Sequence, residues 1–311
     1  METMAVVLQE PERLSLSRLD LLPPADDDIV VEVEFSGIST GTERLFFTGN
    51  MPPFPGMGYP LVPGYESVGR VTFAGPLSGH SENERVFCPG ATCFKDVRGL
   101  FGGAASQIVL PGKRAIPVDP RWEDRAVLLA LAATAQHALG EGPPPDLIVG
   151  HGVLGRLLAR LCLVAGGEAP TVWETNAARR NGADGYRVIH PDEDPRRNYR
   201  TICDVSGDSA SLDRLISCLA PRGEIVLAGF YNEPLSFAFP PAFMREARIR
   251  VAAEWREPDI AAVTRMIAAG RLSLDGLITH RSDAADANGA YQTAFGDPDC
   301  LKMILDWRSC R

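Results

Sequence analysis

The sequence predicts an α/β protein in two parts, an all-β barrel-like unit of short strands followed by a doubly wound parallel sheet. Three observations predict it. From the N-terminus to about Trp122 the chain shows period-2 alternation broken by turns. Beyond that point continuous apolar strands alternate with amphipathic helical segments, the pattern of a parallel sheet covered on both faces. A glycine-rich turn joins one of those strands to one of those helices.

The strands of the first part are MAVVLQ, IVVEVEFSGIS, ESVGRVTFAG, ERVFCPG and ASQIVLP. An Ala/Leu-rich helical segment follows. Then come the strand DLIVGHG, the helix VLGRLLARLCLVAGG, the strand TVWET, the strand YRTICDVSG, the helix ASLDRLISCLAPRG and the strand EIVLAGF. After about Arg256 the helix DIAAVTRMIAAG, the segment LSLDGLITH and the apolar LKMILDW read as a return to the first part. No repeat, low-complexity tract or flexible linker interrupts this order.

Bulk properties bound the function. At 311 residues the chain exceeds one domain, since about 150 residues per domain is usual. With 45% hydrophobic and 23% charged residues it reads as an ordinary globular protein. The longest apolar stretch, Ala126 to Ala135, falls short of the roughly 20 residues that span a bilayer, so no integral membrane segment is expected. METMAVVLQEPERL lacks the basic start and apolar core of an export signal, and the expectation is a cytoplasmic protein. A net charge of −9 without a Lys/Arg cluster argues against nucleic-acid binding. The seven cysteines are scattered and never spaced Cys-x-x-Cys, so reduced, mostly buried thiols are expected.

The sharpest chemical signal is DLIVGHGVLGRLLARL. Gly150 permits the tight turn, Gly152 lets backbone approach a diphosphate, and Gly155 allows close helix-to-strand packing. Val153 and Leu154 open the helix whose N–H groups face the anion. The next strand ends in Glu174, about 20 residues on, where a carboxylate grips ribose hydroxyls. A carboxylate there repels the extra phosphate of NADP, so NAD is the expected cofactor. Arg179 and Arg180 are the residues that would reverse that preference. His151, at a variable position of the motif, reads as a loop residue.

The order of these segments resembles the medium-chain dehydrogenase/reductase superfamily, and the resemblance covers essentially the whole chain. VEVEFSGIS, PGYESVGRVTFAG and GGAASQIVLPGKRAIPVD are similar to its GroES-like β-barrel catalytic domain, and the glycine-motif part to its Rossmann domain. The resemblance implies a catalytic domain over 1–124, an NAD-binding domain over 125–255 and a return over 256–311. The segment TAQHAL implies Thr134 at the cofactor; His137, on the same helix, reads as a packing residue, with a proton relay near the nicotinamide as the alternative. Zinc-dependent members carry cysteine, histidine and cysteine at positions that match Ser39, Tyr65 and Ala130 here, and the zinc-binding lobe is deleted, so no metal is expected.

Within the superfamily, SGISTGTERLFFTGNMPPFPGMGYPLVPGYESVGRV is most similar to the dehydrogenases of bacteriochlorophyll biosynthesis that oxidise a 3-(1-hydroxyethyl) group to acetyl. That implies a tetrapyrrole substrate. Without zinc, polar side chains must move the alcohol proton, and the expected set is Tyr65 first, then Thr40 and Ser39, with Glu66 orienting them; the alternative is that these residues only fill the space that the metal occupies in other members. Glu43 reads equally as a turn or inter-segment anchor. Phe46, Met51, Phe54, Met57 and Tyr59 read either as an apolar wall for the macrocycle or as a loop packed onto its own domain. The loop FYNEPLSFAFPPAF reads as a cleft cover or a homodimer contact. Two alternatives stay open: a zinc-free quinone or enone reductase using NAD(P)H, and a nucleotide-binding protein without catalysis.

Overall fold

A computed structural model describes residues 1–53 and 55–310. The chain divides into two compact units, Met1–Ala130 with Leu277–Arg311, and Leu131–Gly276.

In the first unit the long strand Asp28–Ile38 organises the larger sheet. It pairs antiparallel with Ser67–Ala74, Gln107–Pro111 and Met303–Asp306. Arg85–Cys88 and Ile116–Pro117 extend the sheet on one side and His280–Asp283 on the other. A four-stranded sheet built on Glu2–Glu10 and Arg13–Asp20 packs with it around one core, in which Val7, Ile29, Val31, Ile108 and Leu305 are fully buried. Alternation supplies those residues, since every second side chain of a strand faces the same side. The return strand fixes register as well as closing the sheet: Met303 lies opposite Ile38 and Ile304 opposite Gly37.

The second unit is a six-stranded, wholly parallel sheet in the order Arg187–Ile189, Thr171–Trp173, Leu147–Val149, Tyr199–Asp204, Leu219–Leu227, Arg248–Val251. The strand order reverses beside Leu147–Val149, and in such sheets ligands bind at the carboxyl ends of the strands flanking that reversal. The glycine turn stands there. The helix Val153–Val164 follows it and buries Leu157, Leu158, Leu161 and Cys162, an apolar stripe at helical spacing.

The second unit reaches further than residue 255. The helix Glu257–Ala268 stays with it, burying Ile260 and Val263. His137 bonds the Asp259 carboxylate at 2.9 Å, and the Arg160 guanidinium holds the carbonyls of Ser273 and Asp275. The return to the first unit therefore starts at Leu277. All seven cysteines are buried free thiols. Among the described residues no helix is long and apolar enough to cross a membrane.

Candidate active site

The nucleotide end is built by backbone. Gly150 takes φ +102°, a conformation L side chains rarely adopt. A Cβ on Gly155 would collide with the carbonyl oxygen of Gly150, so the helix can approach the strand this closely only with glycine there. A Cβ on Gly152 would meet nothing within 4 Å, which leaves the face of the turn open. Gly152 caps the helix without a side-chain hydrogen bond, so the N–H groups of the first turn, Val153 and Leu154 among them, are left for an anion. These residues fit the diphosphate of a dinucleotide.

Glu174 stands at the end of the neighbouring strand. One carboxylate oxygen accepts the His151 N–H at 3.0 Å and the other the Asn176 N–H at 2.8 Å. Arg180 donates to the carbonyls of Glu174 and Thr175 and stands 3.8 Å from the Glu193 carboxylate. Thr134 is half-buried on the helix Leu129–Leu139.

In the first unit Ser39 follows the strand Asp28–Ile38, and the turn Thr40–Gly41 leads into the helix Thr42–Thr48. Ser39 Oγ and the Tyr65 hydroxyl are 2.8 Å apart. The Phe101 ring packs edge-on against the Tyr65 ring at 5.5 Å, and the Thr42 hydroxyl lies beside the phenol. Burial, reinforced by the Glu66 carboxylate, pushes the Tyr65 hydroxyl well above its ordinary pKa, so it stays protonated at neutral pH. Thr40 is half-buried in the turn, and it is Thr42, not Thr40, whose hydroxyl reaches the phenol.

Two buried carboxylates stand behind the pair. Glu43 is fully buried; it accepts the Ser39 N–H at 3.0 Å and the Tyr291 hydroxyl at 2.5 Å. Its pKa is pushed up to about 7 by burial, with the Glu66 charge adding and the two hydrogen bonds opposing. Glu66 is also fully buried and pairs with the Lys302 ammonium, itself 2% exposed. Burial drives the Glu66 carboxyl up against the opposing pull of Lys302. Room for this pair depends on the strand beside it: a Cβ on Gly37 would strike both the Glu66 carboxylate and the end of the Lys302 side chain.

Sequence reasoning did not find Lys302 or Tyr291. Both come from the return segment, Tyr291 lying 248 residues from its partner Glu43. The one signal for Lys302 is a lone cation in the apolar run LKMILDW. Ala130, buried at 1% exposure, offers no polar atom on its side chain. Among the described residues no group of three or more His, Cys, Asp or Glu side chains is placed to hold a metal ion.

The expected apolar wall needs correction. Phe46 is fully buried and Met51 9% exposed, both packed in a cluster with Leu8, Leu61 and Leu100. The helix Thr42–Thr48 carries Phe46 and Glu43 on its one buried face, three residues apart, so the spacing that seats the carboxylate also turns the ring inward. Met57 and Tyr59 are half-buried against the same cluster, and the Tyr59 hydroxyl donates to the Phe46 carbonyl. Phe54 lies outside the described residues.

No protein-family model matches the chain. It is 58% identical to a 2-desacetyl-2-hydroxyethyl bacteriochlorophyllide A dehydrogenase of Cereibacter sphaeroides, with 99% of each chain covered. It is 56% identical to the protein of the same description from Rhodobacter capsulatus, over the full length of both. Among solved structures, it is similar to a short chain alcohol dehydrogenase of Escherichia coli CFT073 complexed with NADH, with a TM-score of 0.83, 21% identity, and coverage of 98% of this chain and 99% of that one.

Proposed function

The chain belongs to the family of the 2-desacetyl-2-hydroxyethyl bacteriochlorophyllide A dehydrogenases, medium-chain dehydrogenases with a GroES-like and a Rossmann domain, and from that premise we propose that it oxidises the hydroxyethyl side chain of a bacteriochlorophyllide to acetyl. The full-length identity to two such dehydrogenases carries this reading. NAD is the preferred hydride acceptor, on the strength of Glu174 at the ribose end and of Arg180 being engaged by backbone carbonyls and the Glu193 carboxylate. When bound, the nicotinamide supplies the acceptor for the carbinol hydride.

The chain's own residues handle the proton. Ser39 Oγ accepts it from the substrate hydroxyl and passes its own to the Tyr65 oxygen 2.8 Å away, and the half-buried phenol releases one proton to water. Because its pKa is raised, Tyr65 works as a neutral relay and not as a standing tyrosinate base. Glu43 fixes Ser39 through the backbone N–H, and Glu66 with Lys302 sets the field around the phenol. No metal takes part in this reading, which rests on Ser39, Tyr65 and Ala130 supplying no zinc-ligand set.

The test is incubation of the purified protein with hydroxyethyl bacteriochlorophyllide and either NAD or NADP, following the nicotinamide and the pigment absorbance together. Conversion with NAD, and no stoichiometric zinc by elemental analysis, is expected. An untouched pigment with NADPH-driven reduction of quinones would replace this reading with the reductase alternative.

The reading includes a homodimer. Arg248–Val251 is an outermost strand of its sheet, and Phe239, Phe243, Met244 and Val251 around it are 65–76% exposed. An apolar face beside an unpaired strand edge is an association surface. Sedimentation should show a dimer that Phe243→Asp converts to monomer; a monomeric unmodified protein would remove this part.

A further inference from the structure

A buried arginine follows the glycine turn, on the helix face that otherwise packs apolar side chains. Arg156 is 8% exposed. Its guanidinium donates to four backbone carbonyls: His151 at 3.2 Å, and Arg179, Asn181 and Gly182 at 3.1, 2.7 and 3.4 Å. Burying a cation against carbonyls alone is costly, and an aliphatic residue would fill the same face at lower cost. What the arginine adds is a tie between two segments, the glycine turn and the turn 179–182.

Two further observations converge on that tie. A Cβ on Gly182, at φ +79°, would collide with the Arg156 guanidinium. His151, fully buried, bonds the Arg179 carbonyl at 2.6 Å through Nδ1 and the Tyr186 hydroxyl at 2.8 Å through Nε2. Since a carbonyl only accepts, Nδ1 carries the proton and Nε2 accepts from Tyr186. The His151 backbone N–H in turn holds Glu174.

We propose that Arg156 is a positioning residue for the adenosine end of the cofactor: it clamps the turn 179–182 onto the glycine turn and thereby fixes the Glu174 carboxylate where the ribose hydroxyls bind. The inference rests on the dinucleotide reading above. Loss of the clamp lets Glu174 drift, which weakens a nucleotide bearing a free 2′-hydroxyl more than one bearing a 2′-phosphate, and leaves hydride transfer itself unchanged.

The experiment is a fluorescence titration of the full chain with NADH and with NADPH, in the unmodified protein, Arg156→Met and Arg156→Lys. Amide hydrogen exchange of the ligand-free proteins gives a second readout. Arg156→Met should weaken NADH by about ten- to a hundredfold, the range for hydrogen bonds to a charged group, weaken NADPH less, and speed exchange over residues 174–182. Arg156→Lys, with one point charge for four carbonyls, should fall between, and kcat at saturating NAD should stay within about twofold. If Arg156→Met does not fold, Arg156→Lys, which keeps the charge and most of the stem, decides by the same two readouts. Unchanged NADH affinity, equal loss for both nucleotides, or unchanged exchange over 174–182 would overturn the proposal. Failure of the unmodified protein to bind either nucleotide would instead overturn the dinucleotide reading beneath it.

Discussion

Ser39 and Tyr65 share a single hydrogen bond, so substitutions at the two positions should not add. Tyr65→Phe removes only the hydroxyl and should lower kcat by roughly 10²-fold with little change in KM. Ser39→Ala should do the same, and the double variant should be no slower than the worse single one. Multiplying losses in steady-state assays would mean that the two act separately. Glu43 carries a pH signature: its pKa is about 7 in the folded chain against 4.5 for an unperturbed carboxyl. The folded state therefore binds the proton more tightly, so this contribution is full below about pH 4.5 and is lost as pH rises towards 7. Glu43→Gln should remove that segment of the pH dependence, seen as a flatter unfolding midpoint between about pH 4.5 and 7 by denaturant titration. Ser39, Tyr65 and Glu66 could be picked out as candidates because each stands in a motif. Lys302 and Tyr291 were not, because their roles exist only once a distant segment pairs with the strand Asp28–Ile38.

At the scale of elements, the glycine turn was readable in full, since its strand, turn and helix are contiguous and each glycine has a separate steric reason. Gly155→Ala tests one of them: the added methyl meets backbone, which cannot swing aside, so a loss of about 1–3 kcal/mol is expected by denaturant unfolding, with weakened NADH binding. Full stability would show that the helix shifts freely. The two outer strands of the parallel sheet, Arg187–Ile189 and Arg248–Val251, were not foreseen. Each is four residues or fewer and carries arginine, so neither shows the apolar run that marks the inner strands. The helix Thr42–Thr48 misled in the opposite direction: it sits in a stretch rich in glycine and proline, and its inward face took Phe46 out of the expected substrate wall.

For the whole molecule, the order of segments carried the architecture, while the point of return, Leu277, was set by packing of the helix Glu257–Ala268 and not by any change in composition. The first unit is discontinuous: residues 131–276 are inserted between its two parts, and the strand Met303–Asp306 completes its main sheet. Translation makes that a matter of timing. While the ribosome is adding residues 131–276, the chain already holds Glu66 but not its cation, because Lys302 has yet to be made. The inserted unit, whose segments are consecutive, is expected to fold first, and the unit begun earlier to complete only when its closing strand arrives. Chains stopped after residue 300 should accordingly bind NADH while their first 130 residues stay open to protease, and adding residues 301–310 should close them; protection of that region without the strand would show that the unit closes on its own.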